Sequence, residues 1–197
     1  MKKQRGLSIV EIMIGMTIGL VVVGSAGTFF LSTLKSSVDD ARQQSFIQTI
    51  QTLKYMMTSE IRRAGYSNST SALPAVSGWP AGSHYYSNGL CALVTYIDMT
   101  LPTPKQQFFG FKLEPGTGII YSYQADNLVN CAATTVWEAM NDPTQIKFSQ
   151  VASAPLFSTT TNPKLVQIHL MAEDVVSQSG TNPLNQEVLV KVFIRND

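Results

Sequence analysis

The chain has 197 residues, a formal net charge of +1, 14% charged residues and 44% apolar ones. That length suits one membrane or interface segment plus one soluble domain of ordinary size, with ample chain for a packed core. The near-balance of charge, without a block of Lys or Arg, argues against a polybasic nucleic-acid surface.

Charge is nevertheless unevenly placed. Lys2, Lys3 and Arg5 precede any acid, and beyond residue 6 eleven bases face thirteen acids, a balance of −2. The run RGLSIVEIMIGMTIGLVVVG, Arg5 to Gly24, is almost wholly apolar yet carries Glu11, and Ile12 to Leu34 then supplies 23 residues without Asp, Glu, Lys or Arg. As a helix rising ~1.5 Å per residue, this stretch spans roughly 34 Å, enough for a hydrocarbon core of about 30 Å. A charge in such a helix costs about 2.5–3.5 kcal/mol near its centre and less toward an end. Something must therefore offset the cost of Glu11, unless it sits at the membrane boundary and snorkels to the headgroups. Read as a secretory signal cleaved near Gly24, Ser25, Ala26 and Gly27, the apolar run is too long and contains an acid. A signal anchor fits better, and the basic leader then keeps residues 1–6 in the cytoplasm and sends the rest outward. Gly15 and Gly19 form a small-xxx-small pattern that lets another helix approach closely.

Helical patterning continues beyond Lys35. Val38, Phe46, Ile50, Leu53, Met57, Ile61 and Ala64 recur mostly at three- and four-residue steps, with polar residues on the other faces. No proline lies between Leu7 and Tyr66, so the spacing predicts one helix over 7–64, ~87 Å long, stopped at Gly65. Its first half needs lipid or neighbouring copies, and its second half needs a sheet.

Ser67 to Gly89 is rich in Ser, Asn, Gly and Pro and reads as a long loop. Strand signals follow at 91–97, 107–113, 119–123, 145–151, 164–172 and 187–195. EPGTG (114–118) is turn chemistry, which predicts a hairpin between the second and third. EDVVSQSGTNPLNQ (173–186) is too short for a crossover helix, so the last two strands are expected to pair antiparallel. In the last strand Val188, Val190, Val192 and Ile194 alternate with Leu189, Lys191, Phe193 and Arg195, giving one core face and one mixed face. The fold class so predicted is α+β, a long N-terminal helix packed on an antiparallel sheet. The aromatics Trp79, Tyr85, Tyr86, Phe108, Phe109 and Phe111 read as core rather than as an exposed sticky surface. Cys91 and Cys131 read as one disulfide if the domain is exported, two free thiols being the other reading. With only His84 and His169 beside them, a metal site is not expected.

Gly6, Leu7, Ser8, Ile9, Val10 and Glu11, after a short basic leader, resemble the class III signal of type IV prepilins. The resemblance implies that a prepilin peptidase cuts between Gly6 and Leu7 and that Leu7 is then N-methylated, although the family often has phenylalanine there. It also implies that Glu11 faces the cationic terminal amine of a neighbouring subunit in an assembled fibre. Opposite charges attract strongly in low dielectric and either alone is penalised, so such a pair would set the axial register of otherwise slippery helices. The layout implied is a cleaved leader (1–6), a hydrophobic transmembrane and assembly half-helix (7–34), an amphipathic half-helix (35–65) and a β-rich globular head (66–197).

A second resemblance lies in SEIRRAGY, Ser59 to Tyr66, which is similar to the D-I-R-x-A-G-Y sequence of minor pilins of the PilW type and of their counterparts, the J-type pseudopilins of type II secretion. Ile61, Arg62, Ala64, Gly65 and Tyr66 fit that pattern, while Ser59 and Glu60 depart from it. The same residues also suit a structural end to the helix, with Ile61 and Ala64 facing core, Arg62 and Arg63 at the C-terminus and Gly65 as stop. Major pilins often carry a proline inside the apolar segment, and this chain has none there.

Together these features imply a minor type IV pilin, a structural subunit that helps initiate pilus assembly in a tip complex. The alternatives are a J-type pseudopilin or a pilus subunit whose head binds DNA or a surface. The partners implied are other minor pilins and the major pilin, the prepilin peptidase and N-methyltransferase, the assembly platform, and the inner membrane before assembly. The head would lie in the periplasm first and on the pilus afterwards. No nucleophile elbow, Walker loop, zincin pair or dinucleotide fingerprint occurs, so neither catalysis nor a cofactor is expected. His84 and His169 are 85 positions apart and have no acid at a catalytic spacing in the sequence. The head lacks a basic stripe, so nucleic acid is not an expected partner.

Overall fold

The computed structural model describes residues 8–67, 73–128, 130–133, 136–152, 154–159, 162, 164–175 and 184–195. The chain divides into two units, Met1–Ser45 and Phe46–Asp197. The first unit holds the N-terminal part of helix α1 (Ile9–Arg63), and every described residue in it is exposed. Four of its hydroxyls are satisfied within the helix: Thr17, Ser25, Thr28 and Thr33 each donate to a main-chain carbonyl three or four residues back. Val38, expected on the buried stripe, lies in this unit and is 57% exposed.

In the second unit the helix buries Phe46, Ile50, Leu53, Met57 and Ile61, followed by Ala64, at steps of three and four residues. It ends as the sequence predicts. Gly65 takes φ 74°, in the left-handed region that favours glycine, and its N–H donates to the Thr95 carbonyl at 2.9 Å. The Tyr66 carbonyl accepts from the Ile97 N–H at 2.8 Å, so the end of the helix is tied to a strand by main-chain bonds.

Among the described residues of this unit nine strands follow: β1 (Tyr85–Ser87), β2 (Cys91–Asp98), β3 (Lys105–Glu114), β4 (Ile119–Ala125), β5 (Glu138–Ala139), β6 (Ile146–Gln150), β7 (Phe157–Thr159), β8 (Leu165–Asp174) and β9 (Asn185–Phe193). The six predicted strands are all present, and the hairpin through EPGTG forms with Glu114 opposite Ile119. The final antiparallel pair also forms, running from Leu165↔Phe193 to Glu173↔Asn185. β1, β5 and β7 were not predicted; at two or three residues they are too short to show alternation. One sheet was expected, and the described residues form two. Sheet A is an antiparallel meander in the order β1-β2-β3-β4-β5. In sheet B, β6 and β7 pair with different stretches of β8, and β9 pairs with β8 as well.

The two sheets are stitched together by polar bonds. Asn141 accepts from the Ile120 N–H at 2.8 Å and donates to the carbonyls of Gly118 and Ile146 at 3.2 and 2.7 Å. Phe148 N–H donates to Gly118 C=O at 2.9 Å, and a Cβ at Gly118 would stand 2.9 Å from Lys147 Cβ. Only glycine fits there, because the backbone is also in the left-handed region at φ 72°. On the far side Phe157 N–H donates to Gly89 C=O at 2.9 Å.

The main core is formed by the helix face with residues of both sheets, among them Tyr96, Phe111, Ile120, Phe148, Ile168 and Val192. A smaller core holds Cys91, Leu93, Phe108, Tyr123 and Trp137, with Trp79 and Tyr86 packed against it. Sheet A is thus covered on both faces along β2, which explains the near-continuous apolar run CALVTYI. Of the six aromatics expected in the core, Tyr85, Phe108, Phe109 and Phe111 are buried, while Trp79 and Tyr86 are half-buried.

Candidate assembly site

Helix α1 opens on Ser8. The Ser8 carbonyl accepts from the N–H groups of Glu11 and Ile12 at 3.0 and 3.3 Å, and its hydroxyl accepts from the Val10 N–H at 3.4 Å. Ser8 therefore caps the helix, satisfying donors that would otherwise be unpaired. Glu11 sits in the first turn, where the helix dipole favours a negative charge. Around and beyond it the apolar side chains Ile9, Val10, Ile12, Met13, Ile14 and Met16 are all more than half exposed. Glu11, Gly15 and Gly19 follow at four-residue steps, so they form one slowly drifting stripe with ~6 Å between successive members. Apart from the chain neighbours and the adjoining helix backbone, no described atom lies within 4 Å of the place a Cβ would take at Gly15 or Gly19. This end of the molecule accordingly offers a carboxylate, a flat glycine stripe and a long apolar surface. Gly6 and Leu7, expected to flank the scissile bond, lie outside the described residues.

The octapeptide SEIRRAGY anchors the other end of the helix. Ile61 and Ala64 are fully buried, and Gly65 and Tyr66 make the main-chain bonds to β2 described above. The sequence pattern pointed to Arg62, which is exposed, whereas Arg63 makes the specific contacts. Its guanidinium lies 4.0 Å from the Tyr96 ring centroid and pairs with Glu60 at 3.3 Å. The Glu60–Arg63 spacing of three residues was the signal available in the sequence. Burial raises the Glu60 carboxyl above its ordinary value, with Arg63 opposing, and burial followed by the Glu60 charge raises the Tyr96 hydroxyl to about 12.

Cys91 and Cys131 are joined at an S–S distance of 2.06 Å, closing a loop with a sequence separation of 40. The bridge holds the segment after β4 over the smaller core. There Lys112 Nζ donates to the Ala133 carbonyl at 2.9 Å and lies 4.9 Å from the Trp137 ring centroid. His169, which has no acid at a catalytic spacing in the sequence, gains one across the sheet: strand pairing brings Glu187 Oε1 within 2.6 Å of its Nε2. Among the described residues no group of three or more His, Cys, Asp or Glu is arranged to hold a metal ion.

An exposed apolar N-terminal helix, capped by Ser8 and carrying Glu11 in its first turn, together with a unit in which the same helix packs on antiparallel sheets, defines a pilin-like α+β protein. Comparison of the sequence with family models agrees with this class. The prokaryotic N-terminal methylation motif matches residues 1–27, and the family described as prepilin peptidase-dependent protein B matches residues 39–190. The chain belongs to the prepilin peptidase-dependent protein B family and carries the N-terminal methylation motif of type IV prepilins. No curated protein and no solved structure matches it.

Proposed function

We propose that this chain is a minor type IV pilin, a structural subunit that helps to initiate pilus assembly in a tip complex with other minor pilins. The observation that carries the reading is Glu11, a carboxylate in the first turn of helix α1, whose residues 9–34 are exposed and hold no other charge. Before assembly residues 7–34 hold the protein in the inner membrane with the head, residues 66–197, in the periplasm. The prepilin peptidase removes residues 1–6 by cutting between Gly6 and Leu7, and Leu7 is then methylated on its nitrogen. On assembly Glu11 meets the terminal amine of a neighbouring subunit, and the stripe of Gly15 and Gly19 lets that helix approach closely. Pairing replaces the cost of a lone charge, about 2.5–3.5 kcal/mol at mid-membrane, with an attraction that one axial offset alone provides. The partners are the other minor pilins, the major pilin and the assembly platform, and the role is noncovalent assembly.

The test is Glu11→Ala. The variant should remain stable in the membrane and be processed, but should fall markedly in sheared pili. Normal incorporation would refute the pairing. Intact mass spectrometry of pilus-borne protein should find a chain starting at Leu7, with one added methyl and two thiol hydrogens missing. Gly6→Ala should block that maturation, so a variant of mature mass would refute the assigned scissile bond.

A further inference from the structure

A sheet edge leaves main-chain donors and acceptors unpaired, and proteins ordinarily cover or shorten it. In this head most edges are so treated. β1 has three residues, and at Tyr85 the outward N–H donates to Ser83 Oγ at 3.2 Å while the outward carbonyl accepts from the same hydroxyl at 2.7 Å. β5 has two residues. β6 and β7 are held to sheet A through Gly118 and Gly89.

β9 differs. It has nine residues, and among the described residues it pairs with β8 alone. Asp174 N–H donates to Leu184 C=O, and Ile194 N–H donates to Lys164 C=O, at 2.9 and 2.8 Å. In an antiparallel ladder the direction of the main-chain groups alternates. With the register Leu170↔Val188, the even-numbered residues of β9 therefore turn toward β8, and Asn185, Glu187, Leu189, Lys191 and Phe193 turn outward. None of these five has a main-chain partner outside the ladder among the described residues. All five are exposed, Leu189 at 52% and Phe193 at 50%. Along this edge, open among the described residues, the acid Glu187, which also contacts His169 Nε2 at 2.6 Å, and the base Lys191 flank Leu189.

Building on the assembly role proposed above, we infer that the β9 edge docks an extended segment of a different pilin-like subunit, which joins sheet B as an antiparallel strand. Main-chain bonds to the outward residues supply attachment, and the side chains supply choice of partner. The incoming strand carries a base opposite Glu187, an apolar residue opposite Leu189 and an acid opposite Lys191, since directly opposite pairs of like charge are repulsive. A second copy of β9, centred on Leu189, has that complementary order as well. Its two-fold axis would stand normal to the sheet, however, and helix α1 packs on that sheet through Ile50 and Met57 against Ile168 and Val188. The Phe46 ends of the two helices, from which the N-terminal segments continue, would then point in opposite directions, which does not suit two chains anchored in one membrane.

The full chain, with a photo-cross-linking residue at Leu189, is co-expressed in membranes with each other pilin-like subunit of its own genome in turn. The same residue at Leu101, also exposed on the head, serves as control. A Leu189 adduct with one of those subunits, absent from Leu101, is expected. Exchange of the charges (Glu187→Lys with Lys191→Glu) should lower its yield several-fold, with the Cys91–Cys131 bridge still formed as a check on folding. Adducts solely between copies of this chain would overturn the inference, as would equal yields from the exchanged variant. No adduct with any subunit, while Glu11→Ala still prevents incorporation into pili, would overturn it and leave the assembly role standing. Normal incorporation of Glu11→Ala would instead remove the reading on which it rests.

Discussion

Removing the Cys91–Cys131 bridge should weaken the head by an amount that the chain itself sets. The bridge closes a loop with a sequence separation of 40, and on the chain-entropy account such a closure restricts the unfolded ensemble by ~4 kcal/mol at 25 °C. Cys91 is also 1% exposed and belongs to the smaller core, so replacing both cysteines with alanine forfeits some packing as well. Against an ordinary domain stability of about 5–15 kcal/mol, the loss is large. The assay is guanidinium unfolding of the full chain in detergent, followed by the near-ultraviolet signal of Trp79 and Trp137, which lie in or against that core. The midpoint should fall for Cys91→Ala with Cys131→Ala, and by nearly as much for the wild type under reducing conditions. A loss below ~1 kcal/mol in both would refute the view that this loop is held by its cross-link; it would mean that the Lys112 and Trp137 contacts suffice.

Other substitutions test the packing and the charges. Ile61→Ala, at a side chain with no exposure, should cost about 2–5 kcal/mol, whereas Val38→Ala should stay within ~0.5 kcal/mol by the same denaturation measurement. Gly118→Ala combines a left-handed backbone with a close approach to Lys147, and should destabilise by more than ~1 kcal/mol; an unchanged midpoint would remove the glycine from the seam between the sheets. For Glu60, burial raises the folded carboxyl above its ordinary value of 4.5, so the fold holds that proton more tightly than the unfolded chain does. Its contribution is full below the unfolded value and is lost as pH rises through the folded one. The wild type should therefore lose stability relative to Glu60→Gln as pH rises above the ordinary carboxyl value, and a constant difference over that rise would contradict the assigned cause.

Much of this architecture is legible from local pattern. The three- and four-residue apolar steps and the absence of proline mark one helix, Gly65 marks its end, and EPGTG marks a hairpin, because each is a property of neighbouring residues. Glu11 was conspicuous for the same reason, as a charge inside a sequence otherwise suited to lipid. Periodicity could not separate Val38 from Phe46, since both fit the apolar stripe, yet one is exposed and the other lies in the core. Nor could it reveal β1, β5 and β7, whose brevity leaves no alternation to read.

The sequence by itself determined the membrane-type helix, its charged first turn, the α+β class and the six long strands, all of which rest on composition and short-range spacing. Only the tertiary structure decided that the strands divide into two sheets stitched through Asn141 and Gly118. It likewise chose Arg63 over Arg62, brought Glu187 to His169, and left β9 paired with β8 alone among the described residues. Those outcomes depend on which distant segments meet, and the energies of such meetings are carried by contacts that no local spacing encodes.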